Sequence, residues 1–284
     1  MSDARTTPPI LANKHYDAAS VFTPESLLRE AKRQKGGADI GVPNVCILDP
    51  DGDIVRDLKA SGRTRSHPGW VCYHTELHVF EEQGVTFGIV GCAVGASFAV
   101  LVAEELFVSG CRLLISITSA GQIVPLGRPP YFILIEKALR DEGTSYHYMP
   151  PSEWSVACPT LLDRLAGDCV PNEVPIVRGS TWTTDAPFRE TAAAITAMRD
   201  KGIHAVEMEA AALYALAAAR DKPIVCLAHV TNQMGIIEGD FEKGEANGVL
   251  DALSVAHRVA VRLNGDVGQT DSTPKATEGL GSET

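Results

Sequence analysis

The stretch "GIHAVEMEAAALYALAAARDK", Gly202–Lys222, is the part of the sequence from which the fold can be worked out. Its run from Ala205 to Asp221 is rich in Ala and Leu, which are strong helix formers, and predicts a helix that packs in the interior. Glu207 and Glu209 stand at the start of that run. Acidic residues are favourable at a helix N-terminus, but two carboxylates beside an apolar run also suit a site for a polar ligand. From the residues alone, both interpretations stay open.

Strand-like and helix-like segments alternate along the rest of the chain. Apolar strand patterns occur in "NVCILD", "VTFGIVG", "RLLISITSAG", "VPIVRGSTWTT" and "PIVCLAHVTN", and "WVCYHTELHVFEEQ" can hold a strand or a hairpin. Helical spacing occurs in "SFAVLVAEELFVSG", "TLLDRLAGD", "ETAAAITAMRDKG" and "GVLDALSVAHRVAVRL". Near-continuous apolar strands that alternate with helices are typical of a sheet covered on both faces. We therefore predict an α/β fold.

The pattern predicts one domain between two unstructured ends. Residues 1–14 are polar and contain Pro, and we expect a flexible N-terminus. Residues 264–284 are rich in Gly, Ser, Thr and Asp, so burial cannot offset their ordering entropy and we expect a disordered tail. Neither a repeat nor a linker interrupts residues 15–263, which we assign to a single domain.

Composition excludes several classes of function. The net charge of −11 and the lack of a basic face argue against nucleic-acid or anionic-membrane partners. No apolar run approaches the roughly 18 residues of a membrane helix, and the N-terminus lacks a signal core. The seven cysteines form no CxxC pair, and no Cys/His cluster has metal spacing, so we expect free, buried thiols and no metal. These features predict a soluble cytoplasmic protein.

Small and polar residues follow several of the predicted strands, as in "GCAVGAS", "TSAGQ", "STWTTD" and "HVTNQ". In α/β sheets, ligands bind beyond the carboxyl ends of the strands, so these four ends predict a small-molecule pocket. Gly91 and Gly95 let a ligand approach the backbone at a helix start. Their order, G-C-A-V-G-A, is not the GxGxxG fingerprint of a dinucleotide site, and no cofactor is expected.

These stretches together resemble the nucleoside phosphorylase-I superfamily. The resemblance runs from about Pro43 to Leu263 and is carried by the Gly-rich turn, the "AEEL" helix, the "TSAG" strand end and "VEMEAAALYALA". "IEKALRDEGTSYHYMPPSEW", Ile135–Trp154, is similar to the uridine phosphorylase-like branch. The resemblance implies a mixed, twisted β-sheet between helices on both sides, a phosphorylase/hydrolase-like three-layer fold. It also implies a cytoplasmic homodimer or hexamer, with sites near subunit interfaces, that cleaves the N-glycosidic bond of a nucleoside.

The resemblance gives roles to the residues of the opening stretch. Glu209 is expected to bind the ribose hydroxyls and stabilise the oxocarbenium-like sugar, with Met208 as an apolar floor. Glu207 is expected to orient the loop or bond to backbone. Asn232 stands where purine-specific relatives have Asp, and its amide can hydrogen-bond a base carbonyl and a ring N–H. Glu209 and Asn232 are therefore the predicted catalytic residues.

Three further side chains are candidates for substrate contacts. Phe188 or Trp182 can stack on a base, although both residues are equally suited to a core. His147, in "GTSYHYMPP", is either a binder at the edge of the cleft or a histidine that holds its own loop. His229 lies in a strand pattern and is interpreted as a core residue.

The residues leave open whether phosphate or water accepts the sugar. Ser119 matches a hydroxyl that contacts phosphate in the family, but Gly52 and Ser116 stand where the family has its two phosphate-binding arginines. Nearby candidates to replace them are Arg56, Arg63 and Arg65. A phosphorylase of uridine phosphorylase type, with inorganic phosphate as co-substrate, is placed first. A nucleosidase that uses water, with Asp49 or Asp51 as general base, is the alternative. A non-catalytic nucleoside-binding protein is the second alternative.

Overall fold

Ten strands and seven helices form the regular structure of the residues that the computed structural model describes, which are 7–127, 129–165, 174–232 and 248–264. The strands are β1 Val45–Asp49, β2 Arg65–Ser66, β3 His78–Glu82, β4 Val85–Gly91, β5 Leu113–Gln122, β6 Tyr131–Asp141, β7 Trp154–Val156, β8 Ile176–Thr184, β9 Ala205–Glu207 and β10 Ile224–Asn232. The helices are α1 Pro24–Lys35, α2 Asp53–Ala60, α3 Ala96–Val108, α4 Pro159–Arg164, α5 Ala192–Asp200, α6 Ala210–Arg220 and α7 Val249–Asn264. Short 3₁₀ turns lie at Pro9–Leu11, Thr144–His147 and Pro187–Arg189.

The strands form one mixed sheet that partly closes on itself. Its path runs β2-β3-β4-β1-β5-β9-β8-β6-β10, and β10 also pairs with β5. β7 pairs with β6 at the margin. β1 pairs in parallel with β4 and with β5, and β5 pairs in parallel with β10. In contrast, β6 runs antiparallel to β10, and β9 runs antiparallel to β5. Five strands, β5, β10, β6, β8 and β9, therefore form a closed ring, which we call the strand ring.

Helices cover both faces of the sheet. On one face, α3 and α6 bury a cluster that includes Leu106, Leu213 and Tyr214. On the other face, α2 and α7 bury a second cluster around Ile47, Phe87 and Leu253. Because each face of the strands contacts apolar helix surface, the strands read as nearly continuous apolar runs. The predicted mixed sheet between two helical layers is confirmed.

The helix predicted over residues 205–221 begins five residues later than expected. Ala205–Glu207 forms β9, which pairs with β8 and β5 and completes the strand ring. The helix α6 starts at Ala210. Tertiary pairing overrides the local preference here, because Val206 pairs with Gly121 of β5 on one side and with Trp182 of β8 on the other. The prediction of a helix at residues 205–207 was wrong.

Besides the short strands β2 and β7, three longer strands or helices were not predicted from the sequence. The long strand β6, "YFILIEKALRD", follows a Pro-rich turn. Only its part from Ile135 onward lies in the stretch that resembles the family. Helix α1 is amphipathic and mostly charged, and the hydroxyl of its N-cap, Thr23, accepts a hydrogen bond from Ser26 N. Helix α2 begins within "LDPDGDIVRD", for which no helix was predicted.

The predicted domain limits remain a prediction. Residues 1–6 and 265–284 lie outside the described residues, and Asn264 is the last residue of α7. None of the helices in the described ranges combines the length and the hydropathy that a membrane span requires. The six described cysteines are unpaired, and Cys92 and Cys158 are exposed rather than buried.

Candidate active site

A cavity of about 380 Å³ opens where the carboxyl ends of β5 and β10 meet β9. It is lined by Pro50, Asp51, Val94, Thr118, Ser119, Gly121, Pro187, Phe188, Glu190, Val206, Glu207, Met208, Glu209 and Asn232. Seven residues predicted from the sequence meet here: Asp51, Ser119, Phe188, Glu207, Met208, Glu209 and Asn232. The pocket expected at the strand ends is therefore built largely on the strand ring.

Glu207 is tied into the backbone at the start of α6. Its Oε2 accepts hydrogen bonds from the N–H groups of Glu209 and Ala210, each at 2.7 Å. Its Oε1 accepts from the hydroxyls of Thr181, at 3.0 Å, and Thr183, at 2.5 Å. The two backbone bonds satisfy donors that would otherwise be orphaned at the helix N-terminus. Glu207 thereby fixes the backbone that carries Glu209.

Glu209 is the buried carboxyl at the floor of the cavity, and its side chain lies only 1% exposed. Its Oε1 accepts from the N–H of Gly95, at the start of α3, at 2.7 Å. Burial and then the nearby charge of Glu207 raise the pKa of Glu209 to about 8, against the Gly95 N–H and the Thr118 hydroxyl, which lower it. Glu209 thus has few donors and a close negative neighbour.

Asp49, the last residue of β1, and Asp51, two residues later, have different surroundings. Asp49 accepts hydrogen bonds from the N–H groups of Gly52, at 3.1 Å, and Val55, at 2.9 Å, and so anchors the first turn of α2. Burial raises the pKa of Asp49 to about 7. Asp51 lines the cavity, and its Oδ2 accepts from the N–H of Ser119 at 3.0 Å. Of the two predicted general bases, only Asp51 borders the cavity.

Asn232, Glu190 and Phe188 also line the cavity. Asn232 ends β10 and lies beside Gly121 in the parallel register with β5. Phe188 is fully exposed in the 3₁₀ turn after β8. Glu190 was not predicted, although it is the first residue of the helical stretch "ETAAAITAMRDKG" and lies two residues beyond Phe188. Burial raises the pKa of Glu190.

Two predicted binders, Gly91 and His147, are not among the residues that line the cavity. Gly91 ends β4, and a Cβ added there would lie 2.3 Å from Cγ1 of Val55, so the glycine lets α2 pack close to the strand. His147 Nδ1 lies 2.8 Å from Nζ of Lys14. It borders a separate, mostly apolar cavity of about 490 Å³ between α3 and the N-terminal segment.

Two other aromatic candidates lie in the core. Trp182 packs with Ile203 and Val206, and its indole N–H donates to Oδ2 of Asp141 at 2.9 Å. His229 is buried on β10, as predicted, and its ring stacks on Phe132 with centroids 4.3 Å apart.

The cavity is acidic. Asp51, Glu190, Glu207 and Glu209 line it, and no Lys, Arg or His is found among the described lining residues. Arg56 instead binds Asp53 at 2.6 Å and the carbonyl of Asp51 at 2.7 Å. Arg63 pairs with Glu82 at 2.6 Å, and Arg65 is exposed on β2. Ser116 is buried within β5.

The motif "RDEGTSYHY" is held together by Arg140. The buried guanidinium donates to the hydroxyls of Ser145, at 2.8 Å, and Ser152, at 2.7 Å, and to the carbonyl of Pro150 at 2.8 Å. It also lies 4.4 Å from the ring centroid of Tyr146. The motif therefore orders a loop beside α3 and α6 and does not reach the described lining of the cavity.

Comparison with known proteins decides the family. The family model described as "Phosphorylase superfamily" matches residues 44–262. The chain belongs to the phosphorylase superfamily. This confirms the resemblance to nucleoside phosphorylase-I enzymes.

Among sequences, this member of the phosphorylase superfamily matches the uncharacterized protein R802 of Acanthamoeba polyphaga mimivirus. The two are 28% identical over 141 residues, which is 49% of this chain and 54% of the viral protein. The chain thus spans about half the length of that relative.

Among solved structures, phosphorylases and a nucleosidase share the fold of this phosphorylase-superfamily chain. Uridine phosphorylase from Vibrio fischeri is 19% identical with a TM-score of 0.64, covering 79% of this chain and 91% of that one. Purine nucleoside phosphorylase from Toxoplasma gondii is 16% identical with a TM-score of 0.65, covering 80% and 92%. The 5'-methylthioadenosine/S-adenosyl homocysteine nucleosidase of Campylobacter jejuni is 16% identical with a TM-score of 0.62, covering 78% and 98%.

Proposed function

We propose that this chain hydrolyses the N-glycosidic bond of a nucleoside, with water as the acceptor of the sugar. The observation that carries the proposal is the acidic cavity, in which four carboxyl side chains and no cationic side chain are found among the described lining residues. A phosphorylase needs cations and N–H donors to hold its phosphate, and acids repel it. Water has no such requirement, so the lining favours hydrolysis over the phosphorolysis expected first from the sequence.

The proposed mechanism uses one carboxylate for the water and another for the sugar. Asp51 takes a proton from a water molecule while the oxygen of that water bonds to the anomeric carbon of the sugar. Glu209 binds sugar hydroxyls and stabilises the positive charge that develops on the ring, over the apolar surface of Met208. The C–N bond breaks as the new C–O bond forms, and the bonding electrons leave with the base.

Asn232 and Glu190 are proposed to hold the departing base. The amide of Asn232 can donate to a base carbonyl, and the protonated carboxyl of Glu190 can return a proton to the base, since burial favours its neutral form. This pair suits a base in which a carbonyl is adjacent to a ring nitrogen, such as a uracil or a 6-oxopurine. Phe188 at the rim is placed to stack on the base.

The test is a panel of nucleosides, with and without inorganic phosphate, assayed for free base and for the sugar product. We expect release of base and free pentose at a rate independent of phosphate. Glu209→Gln is expected to lower kcat/KM by about 100-fold or more. Formation of ribose 1-phosphate with a phosphate-dependent rate would establish phosphorolysis instead. Tight nucleoside binding without turnover would indicate the non-catalytic alternative.

The predicted homodimer or hexamer is retained as part of this proposal. Phe188 and Val94 leave apolar surface exposed at the rim of the cavity, which is compatible with a neighbouring subunit beside the site. Light scattering after size-exclusion chromatography tests it, and a monomer at working concentrations would contradict it.

A further inference from the structure

Two carboxyl groups lie side by side in the cavity wall without a positive partner among the described lining residues. Glu207 is 3% exposed and Glu209 is 1% exposed. They are two residues apart, and the N–H of Glu209 donates to the carboxyl of Glu207. Two like charges so close in a buried site do not ionise together at the ordinary pH of a carboxyl group, so one of them holds a proton.

The hydrogen bonds decide which of the two is ionised. Glu207 accepts from two backbone N–H groups, which can only donate. Thr183 Oγ1 accepts from the N–H of Ala211 at 2.9 Å, so its own proton points to Glu207. With Thr181 this makes four bonds in which Glu207 is an acceptor. Burial raises the pKa of Glu207, and this set of donors opposes that effect by stabilising the carboxylate form.

Glu209 has a weaker set of donors. Its Oε1 has one short bond, from the N–H of Gly95, its Oε2 accepts from the N–H of Met208 at 3.3 Å, and the Thr118 hydroxyl is its third donor. The groups that face it are mostly negative or neutral. They are Glu207 from β9, Asp51 from the loop after β1, Thr118 from β5, Cys226 and Asn232 from β10, and Glu190 and Phe188 from the turn after β8.

We infer that Glu207 is a positioning residue whose fixed negative charge keeps a proton on Glu209 in the empty site. Glu209 then becomes a carboxylate as the bound sugar develops positive charge, and its proton passes to solvent. The charge of Glu207 therefore keeps Glu209, the residue proposed to bind the sugar, protonated until the bound sugar develops positive charge. The role assigned to the sugar rests on the proposed function, whereas the protonation of Glu209 does not.

The substitution Glu207→Gln tests the inference because it removes the charge. The amide oxygen can accept from the two N–H groups in place of Oε2, and the amide nitrogen can donate to the threonine hydroxyls after they rotate. Thr181→Val is the matched control. It removes one hydrogen-bond donor to Glu207 and leaves the charge of Glu207 in place. Thr181 is fully buried, and valine has nearly its shape.

The first readout is carbon-13 NMR of the free protein with labelled glutamate side-chain carboxyls, which needs no turnover. We expect a resonance, absent in Glu209→Gln, that titrates near pH 8 in the wild type. In Glu207→Gln its midpoint falls by about one pH unit or more, and in Thr181→Val it does not fall. An unchanged midpoint in Glu207→Gln would overturn the inference.

If Glu207→Gln does not fold, the NMR titration of the wild type tests the inference. Thr181→Val perturbs the Glu207 resonance and so assigns it. That resonance is expected to keep the chemical shift of an ionised carboxylate at every pH at which Glu209 is protonated. Protonation of Glu207 before Glu209 as the pH falls would overturn the inference.

The second readout is the pH dependence of kcat/KM, which applies if the chain hydrolyses nucleosides. We expect activity to rise tenfold per pH unit below about pH 8 in the wild type, and this limb to move to lower pH in Glu207→Gln. A purely structural role would lower activity equally at every pH, and that result would also overturn the inference. Absence of any hydrolysis contradicts the proposed function alone, because the NMR titration stands without it.

Discussion

At the scale of single residues, similar acids have been given different surroundings. Glu207 accepts four hydrogen bonds from the protein, whereas Asp51 has one face on the cavity. Glu209 lies between these two conditions, with one short bond and a pKa of about 8. Surroundings rather than residue type separate an acid that holds backbone from acids available to a substrate.

Asp51→Asn tests the acid proposed to activate water. Its amide oxygen can still accept from the N–H of Ser119, so the fold is expected to persist. Loss of the base is expected to lower kcat by about 100-fold to 10,000-fold. The control is Asp53→Asn, which breaks an ion pair with Arg56 outside the cavity lining and is expected to keep most activity. Steady-state kinetics on both variants checks this, and faster turnover of Asp51→Asn in phosphate would contradict it.

Much of the site could be predicted at this scale, and the missing parts have a physical cause. Glu209, Met208 and Ser119 stand in short motifs, so the residues next to them carry the information. Glu190 has no such motif, because it reaches the cavity only through the bend of the turn at Pro187–Arg189. The distinction between Asp49 and Asp51 depends on the start of α2, which the sequence pattern did not indicate.

At the scale of elements, helix and strand packing depends on contacts between distant segments. β9 forms a strand because β5 and β8 are present on its two sides, although its residues alone predict a helix. Helix α3 was predicted correctly because its apolar residues and the glycine beyond its end are local signals. β6 was missed since an uninterrupted apolar run fits a buried helix as well as a strand.

Gly91→Ala tests whether this glycine serves the packing of α2 on β4. The new Cβ would lie 2.3 Å from Cγ1 of Val55, so we expect a loss of about 1–3 kcal/mol in the free energy of unfolding. In a Val55→Ala background the clashing atom is gone, and the added cost of Gly91→Ala is expected to be smaller. Urea unfolding of the four proteins in this cycle measures the coupling. Additive effects would contradict the packing role.

At the scale of the whole molecule, buried acids make stability depend on pH. Folding raises the pKa of Asp49 to about 7 and that of Glu209 to about 8, above the usual values of about 4. Between these limits the folded state binds more protons than the unfolded state, so the free energy of unfolding falls as pH rises. This contribution is fully present only below about pH 4 and is lost by about pH 8.

We therefore expect the Tm to fall by several degrees between roughly pH 5 and pH 8. Scanning calorimetry across this range measures it. Asp49→Asn is expected to flatten the part of the curve below about pH 7, because it removes the group that titrates there. A Tm that rises steadily from pH 5 to pH 8 would contradict the assignment.

The strand ring also sets the moment in synthesis at which the chain can become active. Asp51 and Ser119 leave the ribosome early, but β9 and β10 follow only at Ala205–Glu207 and Ile224–Asn232. At usual elongation rates, roughly 6–20 seconds separate the emergence of Ser119 from that of Asn232. Until β9 emerges, β5 has neither ring neighbour, and until β10 follows, the strand ring stays open. A nascent or truncated chain that ends before β10 therefore carries its acids without a place to bind a nucleoside.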